Sequence, residues 1–313
     1  MQFTSLLSTV ACLFLLLVVG FIGGKTKIID EQSTQKLSAL IVKIGQPFLI
    51  VSSIISQKCT RENLKTGLMI LVLGLVMHSV MAALAYFLAK PFKRLDKRAL
   101  GEYSMFFANC GFMGFPIIES LGIENGLFYG AFFIMSFHLF VWTYGLVILR
   151  RARDDIKITT KNIILNYGTV PCLIGFIIFV TKLPLPDFIT SMSSYLAGLC
   201  TPIAMLIAGA NIARRSLKHM FLDPKIYYTA AVKLVLMPIL AATVLWAVGL
   251  PDFVVIFGTV MAAMPSASII ASFGEMYSIA PGFAAELVGT STLFSSVTIF
   301  PTVSYALWLV SLR

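Results

Sequence analysis

Apolar runs of about twenty residues follow one another along almost the whole chain, and only short polar joints separate them. An α-helix needs a run of about this length to cross the ~30 Å hydrocarbon core of a bilayer. We predict ten such spans, here called segments 1 to 10, at residues 3–24, 34–56, 66–89, 103–121, 126–149, 162–180, 188–210, 226–249, 253–273 and 284–310. The chain is therefore predicted to be an all-α, polytopic membrane protein.

The amino-acid composition excludes most other classes of protein. Hydrophobic residues make up 58% of the 313 residues and charged residues only 12%, against about 45–50% and ~25% in soluble domains. A soluble protein could not cover its surface with so few charges. The sequence also contains no G-x-S-x-G or H-E-x-x-H motif, and every aspartate lies in a joint. We expect no enzyme activity, no metal and no cofactor.

The basic residues predict how the segments are oriented. Lys and Arg accumulate on the cytoplasmic side of spanning segments. Seventeen of the 24 Lys and Arg residues lie in the joints after segments 1, 3, 5 and 7. This distribution predicts that those joints are cytoplasmic and that both termini lie outside a cell membrane. We assign the net charge of +10 to the membrane surface, and expect the lipid bilayer, not nucleic acid, as its partner.

A weak internal repeat relates residues 1–150 to residues 151–313. IGQPFLIVSSI in segment 2 aligns with LCTPIAMLIAG in segment 7, and NCGFMGFP in segment 4 aligns with GTVMAAMP in segment 9. Each half holds five segments, so the second half would enter the membrane upside down relative to the first. Inverted repeats of this kind are typical of secondary transporters, whose substrate site lies where the repeats meet.

Segments 4 and 9 each carry a proline near the middle of the membrane. Pro116 is 13 residues, or about 20 Å, from the predicted start of its segment, and Pro265 is 12 residues, or about 18 Å, from the start of its own. Gly111 and Gly114 loosen the turn before Pro116. We predict that a new half-helix begins at each proline, because proline suits the first position of a helix. The alternative is a pair of ordinary proline kinks in continuous helices.

Two half-helix starts that face one cavity would form an anion site. Each start carries roughly half a positive charge, and its unpaired N–H groups can bind an anion directly. The predicted donors are the N–H groups of Ile117, Ile118, Ser266, Ala267 and Ser268, with Asn109 and the two serine hydroxyls beside them.

Three short stretches of the sequence resemble one known family of transporters. They are Asn109-Cys-Gly-Phe-Met-Gly-Phe-Pro116, Lys233-Leu-Val-Leu-Met-Pro238, and the stretch from Met264-Pro265-Ser-Ala to Glu275-Met-Tyr277. They are similar to the fourth-, eighth- and ninth-helix patterns of the auxin efflux carrier family, which includes the PIN carriers and short bacterial relatives. The likeness in layout spans the whole chain, whereas only these stretches are specific.

The resemblance implies a fold and a site. It implies two inverted five-helix repeats, with helices 1, 2, 6 and 7 as a scaffold and helices 3–5 and 8–10 as a transport bundle in which helices 4 and 9 cross at their breaks. The family shares this fold with bile-acid–sodium symporters. Its asparagine before the fourth-helix proline helps to bind the substrate carboxylate, a role that falls on Asn109 here. This chain has Ile269 where members often have a second asparagine. Its joint from Arg150 to Lys161 resembles the short bacterial type, for which small organic acids are the expected cargo.

Ionisable residues inside the spans are costly and are therefore candidates for function. Lys233 either balances an anionic substrate or bundle carboxylate, or extends to the membrane surface. Lys43 is expected to extend to the surface or to form a structural pair. His78 and His138 could each relay a proton or be an ordinary hydrogen-bonded residue. Glu119 could carry a proton or meet a cation, or it could face the outer interface.

The sequence thus favours a secondary transporter of small organic anions, mono- or dicarboxylates, that works by alternating access. Its predicted substrate site comprises Asn109, Gly111, Gly114, Pro116, Ile117, Lys233, Pro265, Ser266, Ala267 and Ser268, with His78, Glu119, His138 and Lys43 as coupling candidates. A sodium-coupled symporter of the bile-acid type and a membrane sensor that does not transport are the alternatives. The sequence leaves open whether a proton, sodium or no ion is coupled, and whether the protein forms a homodimer.

Overall fold

The computed structural model describes residues 3–57, 59–156, 165–214 and 223–313. Regular structure in these ranges is helical, apart from one isolated β bridge between Ala108 and Ser266. In the first half the helices are α1 (Phe3–Lys25), α2 (Glu31–Leu40), α3 (Gln46–Ile55), α4 (Arg61–Leu88), α5 (Leu95–Phe106), α6 (Phe115–Ser120), α7 (Gly126–Phe140) and α8 (Leu146–Arg150). In the second half they are α9 (Thr169–Thr181), α10 (Asp187–Gly198), α11 (Cys200–Ala213), α12 (Pro224–Ala231), α13 (Met237–Ala247), α14 (Asp252–Ala263), α15 (Ile269–Met276) and α16 (Pro281–Ser311).

Turns of π-helix join some of these helices end to end. In the described ranges they lie at Ile41–Gly45, Cys110–Gly114, Val141–Gly145 and Val232–Leu236. Three of them end two residues before a proline, namely Pro47, Pro116 and Pro238. Proline donates no N–H and clashes with the preceding turn, and a π turn is a local shift of the hydrogen-bond register. The helices of segments 2 and 8 therefore continue past their prolines.

Seven helices in the described ranges are long and apolar enough to cross a membrane, when helices joined end to end are counted as one. They are Thr4–Lys25, Glu31–Ile55, Arg61–Leu88, Gly126–Arg150, Asp187–Ala213, Pro224–Ala247 and Pro281–Ser311. They correspond to the predicted segments 1, 2, 3, 5, 7, 8 and 10.

The other three predicted segments do not form one long helix each. Segment 4 is divided into α5 and α6, and segment 9 into α14 and α15. Segment 6 is represented by α9, and the predicted residues 162–164 lie outside the described residues, as do the joint residues 157–161 and 215–222. The predicted start of segment 4 at Tyr103 is wrong, since α5 begins at Leu95. A search for apolar residues misses this first part of the helix because it is polar.

Side-chain caps fix where several helices begin. Asp30 accepts a hydrogen bond from the N–H of Ser33 at 2.7 Å, and Thr60 accepts one from Asn63 at 3.1 Å. Each cap satisfies one of the N–H groups that the first turn of a helix leaves without a partner. The hydrogen bonds from Ser33 hold the pKa of the Asp30 carboxyl below its usual value.

Helices α1 and α11 pack with their backbones in direct contact. A Cβ atom on Gly209 would lie 2.0 Å from the carbonyl oxygen of Leu17, and one on Gly20 would lie 2.3 Å from that of Leu206. Small residues allow such close packing of helices in membranes, where association depends on van der Waals contact. Segments 1 and 7 are therefore in direct backbone contact at these glycines.

Helices α5 and α14 lie in the interior of the protein. Every residue in the ranges 99–106 and 254–263 is buried. By contrast, α1, α4 and α9 expose apolar side chains such as Leu15, Val72 and Ile177. The interruptions that follow α5 and α14 are thus surrounded by protein, which is where a membrane protein can accommodate irregular backbone.

Candidate functional site

The first interruption separates α5 from the helix that follows it. Helix α5 ends at Phe106, and Phe107 has extended backbone with φ −83° and ψ 120°. The chain becomes helical again at Cys110, where the N–H groups of Met113 and Gly114 both donate to the carbonyl oxygen of Asn109 at 3.3 and 3.2 Å. We call residues 107–109 the first interruption.

The position of Pro116 corrects one prediction. The new helix does not begin at this proline, because the π turn Cys110–Gly114 already precedes it. The break arises upstream, where the backbone of residues 107–109 finds hydrogen-bond partners outside its own helix. The N–H groups of Ile117 and Ile118 consequently lie within the helix and are not the free donors predicted from the sequence.

The second interruption separates α14 from α15. Helix α14 ends at Ala263, Met264 has extended backbone with φ −63° and ψ 145°, and α15 begins at Ile269. We call residues 264–268 the second interruption. Here Pro265 lies within the break, as predicted.

The two interruptions bind each other through their backbones. The N–H of Asn109 donates to the carbonyl oxygen of Pro265 at 2.7 Å, and the N–H of Ala267 donates to that of Phe107 at 3.0 Å. These bonds form the antiparallel bridge between Ala108 and Ser266. Backbone groups that would otherwise be unpaired inside the membrane are thereby satisfied.

Serine side chains fasten the second interruption on both sides. The N–H of Ser266 donates to Oγ of Ser291 on α16 at 3.2 Å. The Ser266 hydroxyl donates to the carbonyl oxygen of Ser104 on α5 at 3.1 Å, and its Oγ lies 2.5 Å from that of Ser104. The N–H groups of Ser266 and Ala267, predicted to be free, are therefore both occupied.

Four other N–H groups precede the first hydrogen bond of their own helix. Gly111 and Phe112 come before Met113, the first residue of that helix to donate to Asn109. Ser268 and Ile269 come before Ile270, which donates to Ala267 at 3.1 Å. The first N–H groups of a helix have no acceptor within it. All four residues line the same cavity.

This cavity has an empty volume of about 1000 Å³, including its open mouth. Its lining residues come from segments 2, 4, 5, 7, 9 and 10. Its polar lining residues are Thr34, Ser38, Gln46, Asn109, His138, Asn211, Ser268, Ser272 and Glu275. Among the lining residues that the structure describes there is no Lys or Arg, and Glu275 is the single carboxylate.

The cavity brings together some of the predicted substrate residues and leaves others outside. Asn109, Gly111, Ala267 and Ser268 line it. The lining does not include Gly114, Pro116, Ile117, Lys233, Pro265 or Ser266. Ile117 and Pro265 instead line a smaller space, whose lining also includes residues of α1.

Lys233 does not extend to the membrane surface. Its side chain is 0% exposed, and Nζ donates to the carbonyl oxygen of Ala262 at 3.4 Å. Ala262 belongs to the last turn of α14, whose carbonyl groups form the negative end of that helix. Lys233 thus lies behind the second interruption and does not line the cavity.

His138 lies at the cavity and is bonded across it. Its Nε2 is 2.8 Å from the side-chain amide nitrogen of Gln46 on α3, while Nδ1 is buried without a hydrogen-bond partner among the described residues. Gly168 packs against the ring so closely that a Cβ atom there would lie 2.2 Å from Cγ of His138.

The remaining coupling candidates lie away from the cavity. His78 is buried, with Nδ1 2.6 Å from the carbonyl oxygen of Gly74 and 3.1 Å from Oγ of Ser136. Glu119 is exposed and lines a different cavity together with Glu62 and Glu124. Lys43 is exposed in its π turn, as expected of a lysine that extends to the membrane surface.

Sequence reasoning missed two neutral polar residues of the cavity lining. Gln46 and Asn211 line the cavity from α3 and α11, and Glu275 lines it from the last turn of α15. A search for uncharged amide side chains inside apolar spans would have found the first two. The structure shows no group of three or more His, Cys, Asp or Glu residues that could hold a metal ion within the described ranges.

The membrane-length helices and the internal cavity, with polar residues among its largely apolar lining, are the features of a multi-pass membrane transporter. A sequence profile of the family described as "Membrane transport protein" matches residues 5–302. The chain therefore belongs to this family, that of the auxin efflux carriers, which the three sequence stretches predicted.

Two archaeal proteins of the same family match the chain over its length. One, from Methanothermobacter thermautotrophicus, is 23% identical over 314 residues that cover 100% of both proteins. The other, from Methanocaldococcus jannaschii, is 24% identical over 317 residues, which cover 96% of this chain and 97% of the relative. Both are described as uncharacterized transporters.

Proposed function

We propose that the protein is a secondary transporter of small organic anions, mono- or dicarboxylates, that works by alternating access. The observation that carries this proposal is the group of four helix-start N–H groups, at Gly111, Phe112, Ser268 and Ile269, on one cavity. A carboxylate placed between them would accept hydrogen bonds from both helix starts, whose partial positive charges add.

Neutral polar side chains complete this anion site. Asn109 is buried at the first interruption, and its amide can donate a hydrogen bond to a carboxylate. Because the amide is neutral, burying it costs less free energy than burying a charged side chain. Ser268 contributes a hydroxyl at the second interruption. Glu275 lies six residues along α15 from Ile269, or about 9 Å at 1.5 Å per residue, and so does not oppose an anion held at the helix starts.

The proposed architecture is that of ten segments in two inverted repeats, residues 1–150 and 151–313, with segments 4 and 9 crossing at their interruptions. The hydrogen bonds between the interruptions support this arrangement. We divide the segments into a scaffold (segments 1, 2, 6 and 7) and a transport bundle (segments 3–5 and 8–10). The cavity supports this division because both groups line it, the first through segments 2 and 7 and the second through segments 4, 5, 9 and 10. Movement of one group against the other would expose the ligand to alternate sides.

The proposed orientation has both termini outside the cell membrane. Thr34 and Asn211 line the cavity, and each lies near a helix end that borders a joint predicted to be cytoplasmic. In this orientation the cavity opens toward the cytoplasm. The lipid bilayer surrounds the protein, and a small organic anion is its ligand.

Uptake of labelled carboxylates into proteoliposomes tests the proposal, with Asn109→Ala as the variant and Asn63→Ala, at the start of α4, as the matched control. A hydrogen bond to a charged group contributes about 1.5–3 kcal/mol, so we expect kcat/KM to fall about ten- to a hundredfold in Asn109→Ala. Asn63→Ala should transport like the unaltered protein. Equal uptake by both variants would contradict the role of Asn109.

The same assay separates the alternatives. Replacement of sodium by choline should leave uptake unchanged. Loss of uptake without sodium would favour a sodium-coupled symporter. A protein that is stabilised against heat by carboxylates but shows no flux would be a sensor. Stabilisation by amines alone would contradict the anion site.

A further inference from the structure

We propose that Lys233 is a positioning residue that holds the end of α14, and with it the second interruption, in the geometry that leaves two N–H groups facing the cavity. The relevance of this role to transport rests on the proposed function above, whereas the geometry itself can be tested without any substrate. This role differs from those predicted from the sequence, in which Lys233 either balances an anionic substrate or bundle carboxylate or extends to the membrane surface.

Lys233 is buried within predicted segment 8. A lysine with no exposed side chain inside a predicted span is unfavourable unless its charge is compensated. No carboxylate lies within 4 Å of Nζ among the residues that the structure describes. Its hydrogen-bond acceptor is the carbonyl oxygen of Ala262, so the compensation comes from the end of a helix.

The end of α14 needs partners of this kind. The last four carbonyl groups of a helix have no N–H to accept within it, and together they carry a partial negative charge. Two neighbouring segments provide donors for consecutive carbonyl groups: the thiol of Cys110 donates to Met261 at 3.6 Å, and Lys233 donates to Ala262 at 3.4 Å. Cys110 is the first residue of the helix that restarts after the first interruption.

The connection to the cavity is short. Ala262 precedes Pro265 by three residues, and the carbonyl oxygen of Pro265 accepts the N–H of Asn109 at 2.7 Å. Just beyond Pro265 in the chain, Ser268 and Ile269 line the cavity, and their N–H groups precede the first hydrogen bond of α15. A contact that fixes the end of α14 therefore fixes the geometry of the bridge and of these two donors.

Cysteine labelling measures this geometry directly. Cys110 is 2% exposed and contacts the end of α14 through its hydrogen bond to Met261. Cys172, which is 3% exposed, lies on α9 in another part of the protein. The purified protein in detergent would be treated with N-ethylmaleimide, and each cysteine followed by peptide mass spectrometry. The exposed Cys12 reports that the reagent is active.

The variants are Lys233→Met, which removes the charge at similar length, Lys233→Arg, which retains it, and Lys43→Met as the matched control. Lys43 also lies in a π turn before a proline of its span, but its side chain is exposed. We expect the labelling rate of Cys110 to rise at least tenfold in Lys233→Met and to stay low in the other two variants. Cys172 should remain protected in all of them.

Three results would overturn the proposal. Unchanged labelling of Cys110 in Lys233→Met would show that the lysine does not hold the end of α14. An equal rise at Cys172 would show that Lys233 supports the fold as a whole. An equal rise at Cys110 in Lys233→Arg would show that shape, and not charge, is responsible.

Uptake by the same preparations links the geometry to transport. We expect Lys233→Met to raise KM for carboxylates several-fold more than it lowers the maximal rate, with KM restored in Lys233→Arg. If the unaltered protein takes up no carboxylate, the proposed function fails, while the labelling result for Lys233 stands or falls by itself.

Discussion

The contact between α1 and α11 and the contact between the two interruptions solve opposite problems. In the first, continuous helices satisfy their own backbone groups, and Gly20 and Gly209 let them approach until the backbones touch. In the second, helices stop, and the backbone of residues 107–109 must find its partners in residues 264–268. One contact depends on shape alone, and the other depends on hydrogen bonds.

This difference explains why the proposed binding site lies at only one of the two contacts. An unbroken helix presents no free N–H groups except at its ends, so the α1–α11 contact has nothing to offer a ligand. The interruptions create helix ends in the interior, and Gly111, Phe112, Ser268 and Ile269, whose N–H groups precede the first hydrogen bond of their helices, line the cavity.

The largest effect on stability should come from disturbing the close packing of α1 against α11. In Gly209→Ala the new Cβ would lie 2.0 Å from the carbonyl oxygen of Leu17 and 2.6 Å from the backbone nitrogen of Phe21. Neither atom can move without its helix, so we expect destabilisation at or above the ~1–3 kcal/mol usual for overpacking. Thermal unfolding in detergent measures it.

Gly198→Ala is the matched control for this prediction. Gly198 is the last residue of α10, and a Cβ atom added there would meet no other part of the described chain within 4 Å, apart from its own helix and its sequence neighbours. Alanine also has the higher helix propensity, so this variant should unfold at the same temperature or slightly higher. A fall as large as that of Gly209→Ala would contradict the role of close packing.

Replacement of Pro265 and replacement of Pro116 should affect uptake differently, because only Pro265 lies in the hydrogen-bonded contact between the interruptions. Pro265 lies within the second interruption, so Pro265→Ala restores an N–H that would allow α14 to extend, and we expect uptake to fall at least tenfold. Pro116 follows the first interruption at a distance of seven residues from Asn109, so Pro116→Ala should retain most of the uptake. Equal losses in proteoliposome assays would mean that both prolines set the breaks.

A smaller effect should follow from removing one hydroxyl at the second interruption. Ser266→Ala leaves the buried Ser104 hydroxyl without its partner at 2.5 Å, and an unsatisfied buried group of this kind costs about 1–3 kcal/mol. We expect a lower unfolding temperature together with reduced uptake. Ser79→Ala, an exposed serine that bonds within its own helix, should change neither.

The smallest effect should come from the cap of α2, which lies beside the end of α11. The hydrogen bonds from Ser33 lower the pKa of Asp30 below its usual 3.8, so the ionised cap stabilises the folded protein above about pH 4. That contribution is lost as the pH falls through the lowered pKa. Asp30→Ala should therefore unfold at a slightly lower temperature at pH 6, with the difference from the unaltered protein shrinking as the pH falls below 3.8.

Local patterns in the sequence were sufficient to find the two interrupted segments. The length of an apolar run and the missing N–H of proline act within a few residues of themselves. They placed Asn109 and Ser268 near breaks in segments 4 and 9, and both residues line the cavity. The same local rule misplaced the start of the new helix in segment 4, since a π turn before Pro116 has the same local signature as a break.

The sequence by itself determined that the chain is a membrane protein of the auxin efflux carrier family and that two of its segments are interrupted. Only the tertiary structure decided which N–H groups are free, because the acceptors that occupy the others, Phe107 for Ala267 and Ser291 for Ser266, come from distant parts of the chain. The same holds for Lys233, whose depth in its span is visible in the sequence but whose acceptor on α14 is not. Hydrogen-bond partners inside a membrane are chosen by proximity in space, since no water is present to satisfy the groups that are left over.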